Sequence, residues 1–212
     1  MNDALVVFAR APRVGHTKTR LIQALGALPA AELYAGLLAR TLHIAEAVDP
    51  IQHYLYVDAP AARDYFAPLL APDRWRVEGP VAGDLGLRMS DALVRALSQH
   101  ARVILIGSDI VDLQARDLID ALQRLAARDE AVIGPAADGG YWLIGLRQPQ
   151  PALFADLQWG EPHIFQATVQ RFAALGVRWS TLPVRHDIDT PSDVAQWRAA
   201  LGALTPSKVR VC

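Results

Sequence analysis

Short apolar, β-branched runs alternate along this chain with longer stretches whose apolar positions repeat at helical spacing. Runs at 5–9, 51–57, 75–77, 103–106, 131–133, 141–146 and 177–184 predict strands. Helical text covers 30–48, with Leu33, Leu37, Leu38, Leu42, Ile44 and Ala45 as its apolar positions, and recurs at 85–97, 118–125 and 165–175. Thr190-Pro191-Ser192-Asp193 opens a last helix: an N-cap, a proline in the first turn and an acid three residues on. The run 103–106 holds no polar residue, as in a strand buried on both faces of a parallel sheet. Only residues 134–140 separate two of the strands, too few for a helical crossover, so that pair is expected to be antiparallel. The sum predicts a three-layer α/β/α sandwich around a mixed, mostly parallel sheet. Ligands of such sheets sit beyond the carboxyl ends of the strands, so chemistry is to be sought in the loops that follow them.

Composition narrows the class. The 212 residues are 52% hydrophobic and 20% charged, enough for a sizeable core and too little charge for disorder. That length, with no internal repeat and no Ser/Gly linker, predicts a single domain over 1–212. A net charge of −1 argues against a broad surface for nucleic acid or anionic lipid, yet leaves room for a local basic cluster on a small anion. The single cysteine, Cys212, allows no intrachain disulfide and no Cys-rich zinc site, which fits a reducing cytosol. The start of the chain lacks the charged and apolar regions of a signal peptide, and no apolar stretch reaches the ~18 residues of a membrane span. A soluble, cytoplasmic protein is expected; the oligomeric state is open.

Five loops carry candidate chemistry. After the first strand, residues 10–20 hold Arg10, Arg13, Lys18 and Arg20 with Gly15 before a helix, the charges and backbone freedom that a di- or triphosphate requires. It is no P-loop, because Pro12 and Thr17 stand where that motif has glycines. After the most apolar strand come Asp109 and Asp112. Carboxylates at a buried strand end need a hydrogen bond or a cation, and Mg²⁺ takes one or two of them together with phosphate oxygens. A capping role serves Asp112 equally well. After the last strand, Asp187 or Asp189 could complete a metal site from a second segment, or support the final helix. Asp138-Gly139-Gly140 before Tyr141-Trp142 lets backbone approach a ligand beside an acid, or is a plain turn; Gly83 and Arg88 flank the opening of a helix that could touch a base or phosphate. The six histidines show no helical metal-ligand spacing, and Ser108 lacks a nucleophile elbow. Trp142 and Trp159 are the tryptophans placed near a pocket.

Taken together, "VVFARAPRVGHTKTRL", "GDLGLRM", "VILIGSDIVDL", "GPAADGGYWLIGL" and "HDIDTPSDV" resemble the nucleotide-diphospho-sugar transferase (GT-A) superfamily. Within it they resemble the bacterial DUF2064 family, also known as radical-SAM/selenodomain-associated transferases, and are similar to the 2-phospho-L-lactate guanylyltransferases. The five segments span nearly the whole chain. The resemblance implies a GT-A fold, a nucleotide over the first half of the sheet and a Mg²⁺ or Mn²⁺ cofactor. It makes Arg13, Lys18 and Arg20 phosphate contacts, Asp109 and Asp189 the metal carboxylates, and Asp138, Gly139 and Gly140 the border of an acceptor or sugar pocket. The glycine loop of molybdenum-cofactor nucleotidyltransferases is absent, and residues 159–163 lack the Ser-Thr expected after the tryptophan. The expected function is Mg²⁺-dependent nucleotidyl transfer to a small phosphate- or carboxyl-bearing acceptor, with Lys18 and Asp109 catalytic. The alternatives are glycosyl transfer from a nucleotide sugar, and a nucleotide-binding module without turnover.

Overall fold

In a computed structural model, which describes residues 3–79, 81–204 and 209–212, the apolar runs become one seven-stranded sheet. Its strands are β1 (Asp3–Ala9), β2 (Gln52–Val57), β3 (Trp75–Glu78), β4 (Arg102–Ile106), β5 (Ala131–Pro135), β6 (Tyr141–Leu146) and β7 (Trp179–Thr181). The helices are α1 (Thr19–Leu25), α2 (Ala27–Glu46), α3 (Pro60–Phe66), α4 (Leu85–Leu97), α5 (Ala115–Ala127), α6 (Ile164–Ala174), α7 (Pro191–Gln196) and α8 (Arg198–Gly202). The spatial order is β3-β2-β1-β4-β6-β5-β7, with β6 antiparallel to both of its neighbours and every other pairing parallel. Period-two alternation sorts the side chains into layers. Leu5 and Val7 pack under α2, α3 and α5, whereas Ala4 and Val6 pack under α4 and α6. The expected α/β/α sandwich is therefore present.

Two differences have local causes. The apolar run at 177–184 pairs as a strand only over Trp179–Thr181, because Pro183 has no N–H to continue a ladder. Beyond it the chain stays extended and returns to the sheet through a parallel bridge between Ala136 and Arg185. Helices α1 and α3 were not expected; at seven residues each they make fewer than two turns, too short to show a periodicity.

β1, β4 and β5 all end on one edge of the sheet, and the segment after β7 laces that edge together. Ile110 bridges Asp187 in antiparallel fashion, and the Val111 N–H donates to the His186 carbonyl (2.8 Å). Arg185 grips buried Asp117 of α5 with two hydrogen bonds, from Nε (2.9 Å) and Nη2 (2.6 Å). Asp112 accepts the His186 N–H (2.9 Å), which makes it a brace of this lacing.

Candidate active site

A threonine builds the turn after β1. Buried Thr17 donates its hydroxyl to the Ala11 carbonyl (3.4 Å) and accepts the Arg13 N–H (3.0 Å), while the Arg13 carbonyl accepts from His16 (3.1 Å) and Thr17 (3.2 Å). The closed turn places Lys18 at the head of α1 in the left-handed region, φ 49° and ψ 48°. A side chain other than glycine costs about 1 kcal/mol there. What offsets the cost is a double ion pair: the ammonium lies 2.7 Å from Asp109 Oδ2 and 2.7 Å from Asp189 Oδ1, with the lysine side chain 6% exposed. Burial opposes the charge, but Asp109 and Asp189 outweigh it and hold the lysine pKa above its ordinary value. Asp189 is itself fixed by the start of α7, where its N–H donates to the Asp193 carboxylate (3.0 Å) inside the Thr190–Asp193 capping box.

From α2, Tyr34 reaches beneath both loops. Its hydroxyl accepts the Arg10 N–H (3.1 Å) and shares a hydrogen bond with Ser108 (2.8 Å), tying the end of β1 to the end of β4. Burial pushes the Tyr34 phenol up to about 12, so it is a neutral brace. Over these groups lies a cavity of about 490 Å³ whose wall includes Arg10, Lys18, Arg20, Arg88, Asp109 and Asp189. Arg20 approaches Asp189 at 3.8 Å, Arg10 approaches Asp58 at 4.0 Å, and the Arg88 guanidinium sits 5.9 Å over the Phe8 ring. Of the residues picked out in the sequence, Arg13, Gly15 and Gly83 lie outside this wall. Arg13 is exposed, and both glycines take positive φ in the turns ahead of α1 and α4. Tyr34, Thr17 and Ser108 are the residues that pattern reasoning missed as parts of the site. Thr17 alone carried a signal, as the polar residue in a glycine's place.

A second cavity, about 190 Å³, abuts the first, and Leu85, Gly107 and Asp109 belong to both walls. Asp138, Gly140, Trp142 and Trp159 line it, joined by Tyr141, Glu161 and Asp187. Gly139 lies outside the wall and serves packing instead. At φ +92° it presses on the neighbouring segment, where a Cβ would stand 1.9 Å from the Pro162 carbonyl oxygen. Trp142 donates Nε1–H to the Pro183 carbonyl (3.2 Å), and Trp159 stacks on Phe154 while meeting Tyr141 edge-on. Burial, then the negative charge of Asp138, Asp109 and Asp189, raises the Asp187 carboxyl to about 6.

Asp109 and Asp189 converge on one cation, the Lys18 ammonium, and Asp187 faces the second cavity. Among the described residues no three Asp, Glu, His or Cys groups form a metal-binding set by themselves. The donor set thus fits a hard divalent cation that takes two carboxylates together with phosphate oxygens, and does not fit an all-protein cage.

Sheet order and strand-end loops together define the class: this is the fold of the nucleotide-diphospho-sugar transferases. Within it the chain belongs to the DUF2064 family, an uncharacterised protein conserved in bacteria, whose family model matches residues 41–161. A structure from Desulfovibrio desulfuricans G20, provisionally described as a nucleotide-diphospho-sugar transferase, is 28% identical with a TM-score of 0.81, covering 95% of this chain and 98% of that one. Two more distant structures share the fold. The manganese complex of Rv0371C from Mycobacterium tuberculosis H37Rv is 19% identical, with a TM-score of 0.59 over 96% of this chain and 100% of that one. The 4-diphosphocytidyl-2C-methyl-D-erythritol synthase from Anaerococcus prevotii DSM 20548 is 14% identical, with a TM-score of 0.61 over 95% and 96%. No curated protein matches the sequence. Among the described residues no helix is long and apolar enough to cross a membrane.

Proposed function

We propose that this chain is a divalent-metal-dependent transferase, a single domain over 1–212, whose donor is a nucleoside triphosphate or a nucleotide-diphospho-sugar. The observation that carries the reading is the Lys18 ammonium, 2.7 Å from both Asp109 and Asp189, in the wall of a cavity also lined by Arg10, Arg20 and Arg88. An ammonium has three N–H donors; Asp109 and Asp189 take two and leave one for a phosphate oxygen. The arginines add positive charge along the polyphosphate. Asp109 and Asp189 are the residues that would hold Mg²⁺ or Mn²⁺, which when bound neutralises phosphate charge. The manganese bound by one fold neighbour and the cytidyl chemistry of another support a metal and a nucleotide.

The chemistry favoured is nucleotidyl transfer, in which an acceptor attacks the α-phosphorus and pyrophosphate leaves. Charge stabilisation and positioning are enough for it, and no protein nucleophile is required. A second reading, glycosyl transfer from a nucleotide sugar, draws on the carboxylates of the adjoining cavity, because glycosyl acceptors are hydroxyl groups that must lose a proton. Asp138, Gly140, Trp142 and Trp159 border the acceptor in either case, with Gly139 shaping the turn beneath them.

The test is calorimetric titration of nucleoside triphosphates and nucleotide sugars, with and without Mg²⁺, into the parent, Lys18→Ala and Asp109→Ala. Each variant is expected to bind at least tenfold more weakly, and unchanged affinity in both removes the assignment. Released pyrophosphate marks nucleotidyl transfer, and a released nucleoside diphosphate marks glycosyl transfer.

A further inference from the structure

The wall of the smaller cavity contains Asp109, Asp138, Glu161 and Asp187 and, among the described residues, no lysine, arginine or histidine. Asp109 is paired with Lys18. Among the described residues the other three carboxylates have no ion-pair partner, although Asp138 accepts the Gly140 N–H (2.9 Å). Acid groups are ordinarily held by cationic side chains or by the free N–H groups of a helix start. Two helices begin in this wall, and part of each start is already taken. The Leu87 N–H goes to Asp84 (2.8 Å), and the Ile164 and Phe165 N–H groups go to the carbonyls of Glu161 (3.3 Å) and Gly139 (3.0 Å). The remaining wall is apolar and aromatic, with Met89, Tyr141, Trp142 and Trp159. Carboxylates accept hydrogen bonds from hydroxyl groups, and aromatic faces cover C–H surface.

We infer that the acceptor bound here is an uncharged, hydroxyl-rich molecule of the sugar or polyol kind, lacking phosphate and carboxylate groups. The inference rests on the proposed donor reading and replaces the acidic acceptor expected from the sequence. It also agrees with proton bookkeeping. A phosphate arrives already deprotonated, whereas a hydroxyl must lose its proton as its oxygen bonds to the α-phosphorus. The bond from that phosphorus to the bridging oxygen breaks, pyrophosphate leaves, and a wall carboxylate takes the proton. In attack at an anomeric carbon the proton has the same destination and a nucleoside diphosphate leaves.

Matched pairs test this directly: glycerol against glycerol 3-phosphate, and glucose against glucose 6-phosphate. Each is titrated by saturation-transfer NMR into the full chain loaded with nucleotide and Mg²⁺. The uncharged member is expected to bind at least tenfold more tightly, with Asp138→Asn narrowing the ratio and Glu161→Arg narrowing it further. Tighter binding of the esters, equal binding within pairs, or no binding by either uncharged compound overturns the inference. Calorimetry with nucleotide alone separates the two readings. If no nucleotide binds, both fall; if nucleotide binds and the esters win, only the acceptor class falls.

Discussion

Lys18 sits in a conformation that side chains avoid, and it lies in the wall of the larger cavity. Its brace is Tyr34, whose hydroxyl serves two partners in a buried position. Tyr34→Phe should cost about 1–2 kcal/mol, because the Ser108 hydroxyl and the Arg10 N–H lose their shared partner. Urea unfolding measures that loss, and nucleotide titration should show weaker binding as the two loops loosen. His53 gives a pH dependence from outside the site. It is fully buried, donates Nε2–H to the Ala45 carbonyl (2.8 Å) and, among the described residues, leaves Nδ1 without a hydrogen bond. Burial, with Arg74 adding to it, depresses its pKa. The folded state therefore binds this proton less readily than the unfolded chain does. The associated stability is present above the unfolded pKa and is lost as pH falls from about 6.5 toward the lower folded value. Comparing urea midpoints of the parent and His53→Gln at pH 8 and pH 5 should show the gap between them shrinking in acid. The carboxylates and Lys18 were legible in the sequence because polar residues at strand ends advertise themselves. Tyr34 was not, because a tyrosine within helical text reads as core.

At the scale of elements, periodicity located every strand, and it placed α4 and β6 at the bounds the structure shows. The antiparallel pairing of β5 and β6 followed from a gap too short for a crossover. α1 escaped because Gly26 alone separates it from α2, and the proline at 29 makes the helical text seem to begin later. Contacts between distant segments leave no pattern at all: Arg185 and Asp117 are 68 residues apart, and neither predicts the other. Yet that pair anchors the segment leading to Asp189. Arg185→Met should strand the buried Asp117 carboxylate, 5% exposed, and lower stability by about 3 kcal/mol. The same variant should weaken nucleotide binding, since the lacing between Ile110 and Asp187 is displaced with it. A lower urea midpoint with unaltered affinity would show that the pair supports the fold without positioning the site.

For the molecule as a whole, a net charge of −1 conceals a division of labour. One cavity sets three arginines and a lysine beside Asp58, Asp109 and Asp189, whereas among the described residues every charged side chain in its neighbour's wall is an acid. Ligand binding should register globally. A nucleotide with Mg²⁺ at about a hundred times its Kd should stabilise the fold by roughly 2.7 kcal/mol. For a chain of this size that is a Tm rise of roughly 5–11 °C. A thermal-shift series that is flat across all nucleotides and nucleotide sugars would count against the donor reading. The reversed strand β6 carries a further consequence. Because β6 runs opposite to β4 and β5, the tip at 136–140 arrives at the working edge of the sheet without any helix to carry it there. The tip is fastened on both sides, since the Ala137 N–H donates to the Arg185 carbonyl (3.0 Å) and the Gly139 carbonyl accepts from the Phe165 N–H (3.0 Å), so a change of length or conformation there is passed to the segment leading to Asp189 and to the head of α6.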